Sequence, residues 1–125
     1  QNLFVAQFIG SPKMNIIKYR DIYNSSNIDQ RLRDFLFTKV RVANIGIRPE
    51  NIKIVTNSKG HVKATIDVIE YLGADTYVIV NADTLGGVRI RCESNSKLER
   101  GLKIGLKFEL SKIHFFDQEG INLNL

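Results

Sequence analysis

The sequence predicts an all-β domain, built as a sandwich or a small barrel. Several short segments alternate apolar and polar residues, as strands with one buried face do, and turn residues separate them. The longest such stripe is Leu102, Ile104, Leu106, Phe108 and Leu110. Residues 76–80 (TYVIV) are β-branched or aromatic almost throughout, which predicts a strand buried on both faces. Because closing the strands into a barrel removes exposed edges, we expect a small barrel made of two halves.

Composition indicates an ordinary globular domain of 125 residues, with 43% hydrophobic and 25% charged side chains. The net charge of +5 comes from 18 basic and 13 acidic residues spread along the chain. Such a charge suits nucleic acid or an anionic membrane surface, but its even spread favours simple solubility. No apolar run of about 18 residues and no signal peptide is recognisable. Cys92 is the single cysteine, which excludes an internal disulfide framework and fits a reducing cytoplasm.

Residues 42–54 (VANIGIRPENIKI) predict two strands joined by a rigid corner near the middle of the chain. Isoleucines surround Gly46, a position that the first strand keeps free of a side chain. Pro49 has no N–H for a ladder, so the first strand should end there. The alternation restarts at Ile52, which predicts the second strand.

The residues before this corner give weaker signals. The chain opens with Gln1 rather than Met, so we expect a piece of a longer protein. Residues 3–9 (LFVAQFI) place apolar side chains at helical spacing, and Gly10 ends this short N-terminal helix. Residues 14–23 favour a strand, whereas residues 28–37 fit either a helix or a strand.

Residues 61–72 (HVKATIDVIEYL) begin as a clean alternation of apolar and polar positions. The apolar face changes after Val68, because Ile69 and Tyr71 bring apolar side chains to the other face. This change predicts a β-bulge, or a strand that passes between two layers.

The residue types that carry chemistry are sparse. His61, His114 and Cys92 do not stand at metal-ligand spacing, and no phosphate-binding loop, nucleophile elbow or pair of acids is present. The chain is therefore more typical of a binding or regulatory module than of an enzyme. Exposed basic positions such as Arg89 and Arg91 suit a single-stranded nucleic acid, but the aromatic residues follow the apolar stripes, which favours a solvated face.

Four segments closely resemble a known family. They are residues 4–15 (FVAQFIGSPKMN), 46–50 (GIRPE), 68–76 (VIEYLGADT) and 101–116, which end in KIHFF and are followed by Asp117. In this order they resemble the C-terminal regulatory domain, the transport-associated OB (TOBE) domain, of maltose-type ABC importer ATPases. The resemblance covers nearly the whole chain and implies an all-β, OB-type fold of two small interleaved barrels.

This resemblance also implies domain boundaries and partners. Residues 1–12 would end the ATPase domain and its linker helix, and residues 13–125 would form the regulatory domain. The fragment itself would be non-catalytic and without a cofactor, while ATP and Mg²⁺ would bind in the missing ATPase domain. We expect a homodimer through this domain, permease subunits and a regulatory protein as partners, and no nucleic acid. The assembly would lie at the inner face of a bacterial membrane and import sugars or glycerol phosphate.

Site residues follow from the matched positions. Gly46, Arg48, Pro49 and Glu50 would form a structural seam where the two small barrels meet. The acidic position after the LG turn falls on Asp75.

The phenylalanine that closes the HxF-type motif falls on Phe116. Phe116 and Asp75 are candidate contacts for a partner or regulator. The dimer patch would lie around residues 72–80 and 101–116. Two alternatives remain open, a sensor of small oxyanions that uses Arg89 and Arg91, or a nucleic-acid-binding OB module.

One segment departs from the family pattern. Residues 15–42 are shorter and more irregular than the resemblance leads us to expect. We therefore expect an altered first half of the fold there.

Overall fold

The computed structural model describes residues 13–39, 41–93 and 97–123. The helix predicted at residues 3–9 lies outside them. Within the described ranges the chain forms eight strands and two α-helices. In chain order these are β1 (Asn15–Lys18), α1 (Tyr19–Tyr23), α2 (Gln30–Leu36), β2 (Asn44–Ile47), β3 (Ile52–Val55), β4 (Val62–Leu72), β5 (Asp75–Asn81), β6 (Gly87–Glu93), β7 (Lys103–Phe108) and β8 (His114–Phe116).

The strands form two antiparallel sheets. A three-stranded sheet has the order β1-β2-β8, and a five-stranded sheet has the order β3-β7-β4-β5-β6. The edge strands β3 and β6 lie close together, which curls the larger sheet towards a barrel. Both ends of the described chain contribute to the smaller sheet, and the residues between them form the larger one. This arrangement confirms the predicted all-β, OB-type fold with two interleaved halves.

One hydrophobic core joins the two sheets. Ile17 and Ile45 of the smaller sheet belong to the same buried cluster as Val62, Val78 and Leu106 of the larger sheet. Each of these five side chains is at most 3% exposed. Because full burial of such an aliphatic side chain contributes about 1.5–3 kcal/mol, the two sheets stabilise each other as one domain.

The segment before β2 contains more helix than the sequence predicts. The strand predicted at residues 14–23 is wrong beyond Lys18, because the chain turns there into the five-residue helix α1. The ambiguous residues 28–37 form a helix, α2, and Asp29 caps it by accepting the Leu32 N–H at 3.0 Å. Leu32 and Leu36, one helical turn apart, are fully buried and fix the face that α2 turns to the core.

The predicted bulge in β4 is confirmed. The register with β5 shifts between Ile66 and Val68. Before the shift, Val62 and Ile66 are buried, whereas Val68 after it is 43% exposed. The bulge therefore turns Val68 to the surface, while Ile69 takes the inner side and packs half-buried against the core.

Two details of the strand predictions are wrong. In β5, Thr76, Val78 and Val80 are buried but the intervening side chains are only half-buried, because one face of this strand points outwards. Leu102 does not belong to the buried stripe of β7. It precedes the strand and is 43% exposed.

The side chain of Asn15 connects the two sheets. Its Nδ2 donates to the Ile47 carbonyl at 3.2 Å, within the smaller sheet, and to the Arg89 carbonyl of β6 at 2.8 Å. The Arg89 N–H in turn donates to Asn15 Oδ1 at 2.9 Å. The carboxamide thus pairs with Arg89 as a backbone peptide group of a neighbouring strand would, across a separation of 74 residues.

His61 holds the start of α2 against β7. Its backbone N–H donates to the Leu106 carbonyl at 2.7 Å, and its carbonyl accepts the Asp29 N–H at 2.8 Å. The ring Nδ1 accepts the Phe108 N–H at 3.1 Å, which requires the neutral imidazole. The side chain is 4% exposed, and this burial lowers the pKa of His61 below its ordinary 6.5.

Replacing Asn15 should weaken the connection between the sheets. In Asn15→Ala the N–H and C=O of Arg89 lose their partner in a partly buried place, which should lower the free energy of unfolding by about 1–3 kcal/mol. Urea denaturation measures this loss. The exposed amide variant Gln118→Ala serves as the control and should change stability by less than about 0.5 kcal/mol. Equal losses in the two variants would contradict the role of Asn15.

Stability should fall in mild acid. Burial lowers the folded-state pKa of both His61 and His114, so the unfolded chain takes up protons first as the pH drops below about 6.5. The histidine contribution is therefore complete above that pH and is lost as the pH falls towards the folded-state pKa values. Thermal unfolding measured at several pH values between about 7.5 and about 5 tests this effect. His61→Gln should flatten this slope, and an unchanged slope would show that His61 is not responsible.

Candidate functional site

The outward surface of β4, β5 and β6 brings several of the predicted site residues together. After the bulge, alternate residues of β4 point outwards: Val68 lies opposite Ile79, Glu70 opposite Tyr77, and Leu72 opposite Asp75 at the tip of the hairpin. The pairing of β5 with β6 extends each of these rows by one residue. Because residues directly opposite each other share a face, the rows define one surface, which we call the hairpin face. Its members are Val68, Ile79, Arg89, Glu70, Tyr77, Arg91, Leu72, Asp75 and Glu93.

Apolar side chains remain exposed on the hairpin face. Val68 is 43% exposed and Leu72 is 59% exposed. Tyr71 is also 65% exposed, but it pairs with Thr76 and therefore lies on the other side of the hairpin. Exposed apolar residues that share one face, as Val68 and Leu72 do, are typical of an interaction surface rather than of a solvated one.

An ion pair occupies the centre of the hairpin face. Arg89 donates from Nη2 to Glu70 Oε1 at 2.6 Å, and its guanidinium carbon lies 5.2 Å from the ring centroid of Tyr77. Both charged side chains are more than a third exposed, so the pair itself contributes at most about 1 kcal/mol to stability. The pair fixes the orientation of the Arg89 side chain, and the Glu70 carboxylate balances the positive charge of Arg89.

The charge of the hairpin face favours a protein partner over an anion. It carries three carboxylates, on Glu70, Asp75 and Glu93, against the two guanidinium groups of Arg89 and Arg91. A surface with this balance does not attract phosphate or small oxyanions strongly. Both signs of charge beside exposed apolar groups are what a protein interface requires.

The structure brings together residues that the sequence assigned to different roles. Asp75, a candidate partner contact, lies on the same surface as Arg89 and Arg91, the candidate anion contacts. Sequence reasoning missed Val68 and Glu70 as members of this surface. The change of apolar face in residues 61–72 was the available signal, because it marks the point where apolar side chains turn outwards.

The other candidate partner contact, Phe116, lies elsewhere. Its side chain is 1% exposed and packs with Met14 in a small cluster beneath the three-stranded sheet. A Cβ placed at Gly46 would collide with the Met14 sulfur and would lie 2.9 Å from Phe116 Cε2. Packing therefore accounts for Phe116 and for the absence of a side chain at Gly46.

Residues 46–50 connect the two sheets. They run from β2 into a short 3-10 helix, Pro49–Asn51, which leads directly into β3. Asn51 donates its N–H to the Arg48 carbonyl and accepts the Glu109 N–H, both at 2.9 Å. Pro49 is buried, whereas Glu50 is exposed.

Arg48 also acts on a nearby histidine. Burial lowers the pKa of His114, and the positive charge of Arg48 adds to this effect. Arg48 thus lies close to β8, the strand at the far end of the three-stranded sheet.

Among residues 13–39, 41–93 and 97–123, no three His, Cys, Asp or Glu side chains converge as a metal site would need. In the same ranges, the helices are too short or too polar to cross a membrane.

Comparison with known proteins gives both a family and a set of relatives. The model of the TOBE domain family matches residues 45–116. The chain is 31% identical over 127 residues to the sn-glycerol-3-phosphate import ATP-binding protein UgpC of Psychromonas ingrahamii, an alignment that covers 94% of this chain and 34% of the relative. It is 30% identical over 134 residues to the oligosaccharides import ATP-binding protein MsmX of Bacillus subtilis, covering 95% and 36% of the two chains.

A third relative is the putative uncharacterized ABC transporter ATP-binding protein YcjV of Escherichia coli K12, which is 28% identical over 130 residues. That alignment covers 94% of this chain and 35% of the relative. The chain thus spans about a third of the length of the curated relatives it matches. The family match covers more than half of the chain, and the relatives named above are ATP-binding proteins. The chain therefore belongs to the TOBE domain family, as a non-catalytic, regulatory domain of the kind that ABC importer ATP-binding proteins carry.

Proposed function

We propose that this chain is the regulatory and dimerisation domain of the ATP-binding subunit of an ABC importer. In the whole protein an ATPase domain precedes it, binds ATP and Mg²⁺ and ends with residues 1–12, while residues 13–125 form the regulatory domain. The names of the relatives support this role, because they describe import ATP-binding proteins of which this chain matches about a third. The subunit would work with permease subunits at the cytoplasmic face of a bacterial membrane.

The transported substrate is proposed as a class. Two relatives are named for glycerol 3-phosphate and oligosaccharides, which supports sugars or glycerol phosphate as the cargo. The hairpin face, with three carboxylates and two guanidinium groups, does not suit the binding of such a phosphate. The substrate would be selected by other subunits, and this domain would act on the assembly rather than on the cargo.

The hairpin face is the proposed dimer surface. A two-fold dimer needs a self-complementary patch, and this face carries exposed apolar side chains, such as Val68 and Leu72, together with both signs of charge. Two copies related by a two-fold axis can place Asp75 or Glu93 of one against Arg91 of the other. The exposure of Val68 and Leu72 on the hairpin face is the single observation that carries this proposal.

The edge of β4 adds to this surface. β7 pairs with β4 only along Val62–Thr65, so within the described residues no strand lies beside the edge at residues 68–72. An open edge next to apolar side chains readily accepts a second strand. The earlier suggestion of residues 101–116 as a second patch has less support, because the apolar side chains of β7 and β8 are buried.

The oligomeric state tests the proposed dimer. Val68→Glu places a charge at an exposed apolar position of the hairpin face in each copy, so it should raise the dimer dissociation constant by about tenfold or more. Ile121→Glu is the matched control, because Ile121 is 44% exposed against 43% for Val68 and lies outside the hairpin face. Sedimentation velocity over a concentration series measures both variants.

Two results would count against the proposal. One is a wild-type chain that stays strictly monomeric up to about 1 mM, the range of effective concentration that a tethered pair reaches. The other is a control variant that dissociates as readily as Val68→Glu.

A further inference from the structure

A second groove lies away from the hairpin face, between α1 and the residues that lead into β2. Its volume is about 650 Å³, within the range that small-molecule sites occupy. The side chains that give it its chemistry are Lys18, Tyr19, Arg20, Tyr23, Asn44 and Gln118.

This groove belongs to the part of the chain that is not shared with the family model. Its lining residues fall within residues 18–44 or at Gln118, whereas the TOBE match covers residues 45–116. It is built by α1, where the chain departs from the expected strand. The match to the family model therefore does not itself describe this groove.

The groove carries unneutralised positive charge. The side chains of Lys18 and Arg20 are exposed, and neither forms an ion pair or a side-chain hydrogen bond with another described residue. Two such cations beside one groove suit a phosphate or another compact anion.

The groove also has a rigid aromatic wall. The ring of Phe37 packs edge-on against Tyr19 at 5.0 Å and against Tyr23 at 5.3 Å. The hydroxyl of Tyr19 is committed, because it donates to the Leu36 carbonyl at 2.5 Å. Tyr23 is held by Phe37 yet remains 64% exposed, so its ring offers a stacking surface that costs little side-chain entropy.

We propose that this groove binds an aromatic phosphate monoester, a small molecule with a flat ring and a doubly charged anionic group. Lys18 and Arg20 hold the phosphate, and the ring stacks on Tyr23. The amides of Asn44 and Gln118, which line the same groove, supply hydrogen bonds to polar atoms of the ligand. This site is independent of the proposed dimer surface, since the two share no residue.

Calorimetric titration with AMP as the probe tests the proposal. AMP carries both parts of the ligand, whereas ribose 5-phosphate lacks the ring and adenosine lacks the anion. We expect AMP to bind at least about tenfold more tightly than either fragment, because it makes both the charged contact and the stacking contact.

Two double variants separate this groove from general attraction of anions. Lys18→Gln with Arg20→Gln should weaken AMP binding by about tenfold or more. Lys63→Gln with Lys103→Gln removes the same charge from another groove, on the five-stranded sheet, and should leave the affinity unchanged. Circular dichroism and thermal melting establish that each variant is folded.

Three results would overturn the proposal. The first is no binding of AMP to the wild-type chain at millimolar concentration. The second is ribose 5-phosphate or adenosine binding as tightly as AMP, which would leave one half of the site without a role. The third is an equal loss of AMP binding in the two double variants, since it would reflect net charge alone.

Discussion

The carboxamide of Asn15 is the interaction on which the relation between the two sheets depends. A carboxamide offers the same donor and acceptor as a peptide group, so one side chain completes a hydrogen-bonded pair with Arg89 on β6. It also donates to Ile47 in the adjacent strand of its own sheet. These bonds hold β6 at Arg89 against the three-stranded sheet. β5 and β4 follow β6 in the larger sheet, and the hairpin that they form has one face open to solvent.

The local pattern of the sequence accounts for most of the strands but for few of the contacts between them. The strands around Gly46 and the bulge after Ile66 could be predicted, because alternation and backbone chemistry act over a few residues. The helix α1 could not be predicted. Five residues are too few to form a helix by propensity alone, and packing of the buried Ile22 stabilises it.

The candidate site shows the same limit. Asp75 and Arg91 could be identified singly as exposed charged residues, but their position on a common face depends on the register across β5 and β6. The exposure of Val68 depends on the bulge, whose effect on the apolar face is visible in the sequence while its partners are not. The role of Asn15 leaves no local trace, since its partner is 74 residues away.

The interleaved order of the two sheets has a consequence for synthesis on the ribosome. β2 pairs with β1 on one side and with β8 on the other, and β8 is the last strand of the described chain. All strands of the five-stranded sheet are translated before β8, so that sheet can begin to form while Gly46 and Met14 still lack their partner Phe116. The three-stranded sheet is therefore completed last, and it can form in full only after β8 has been translated.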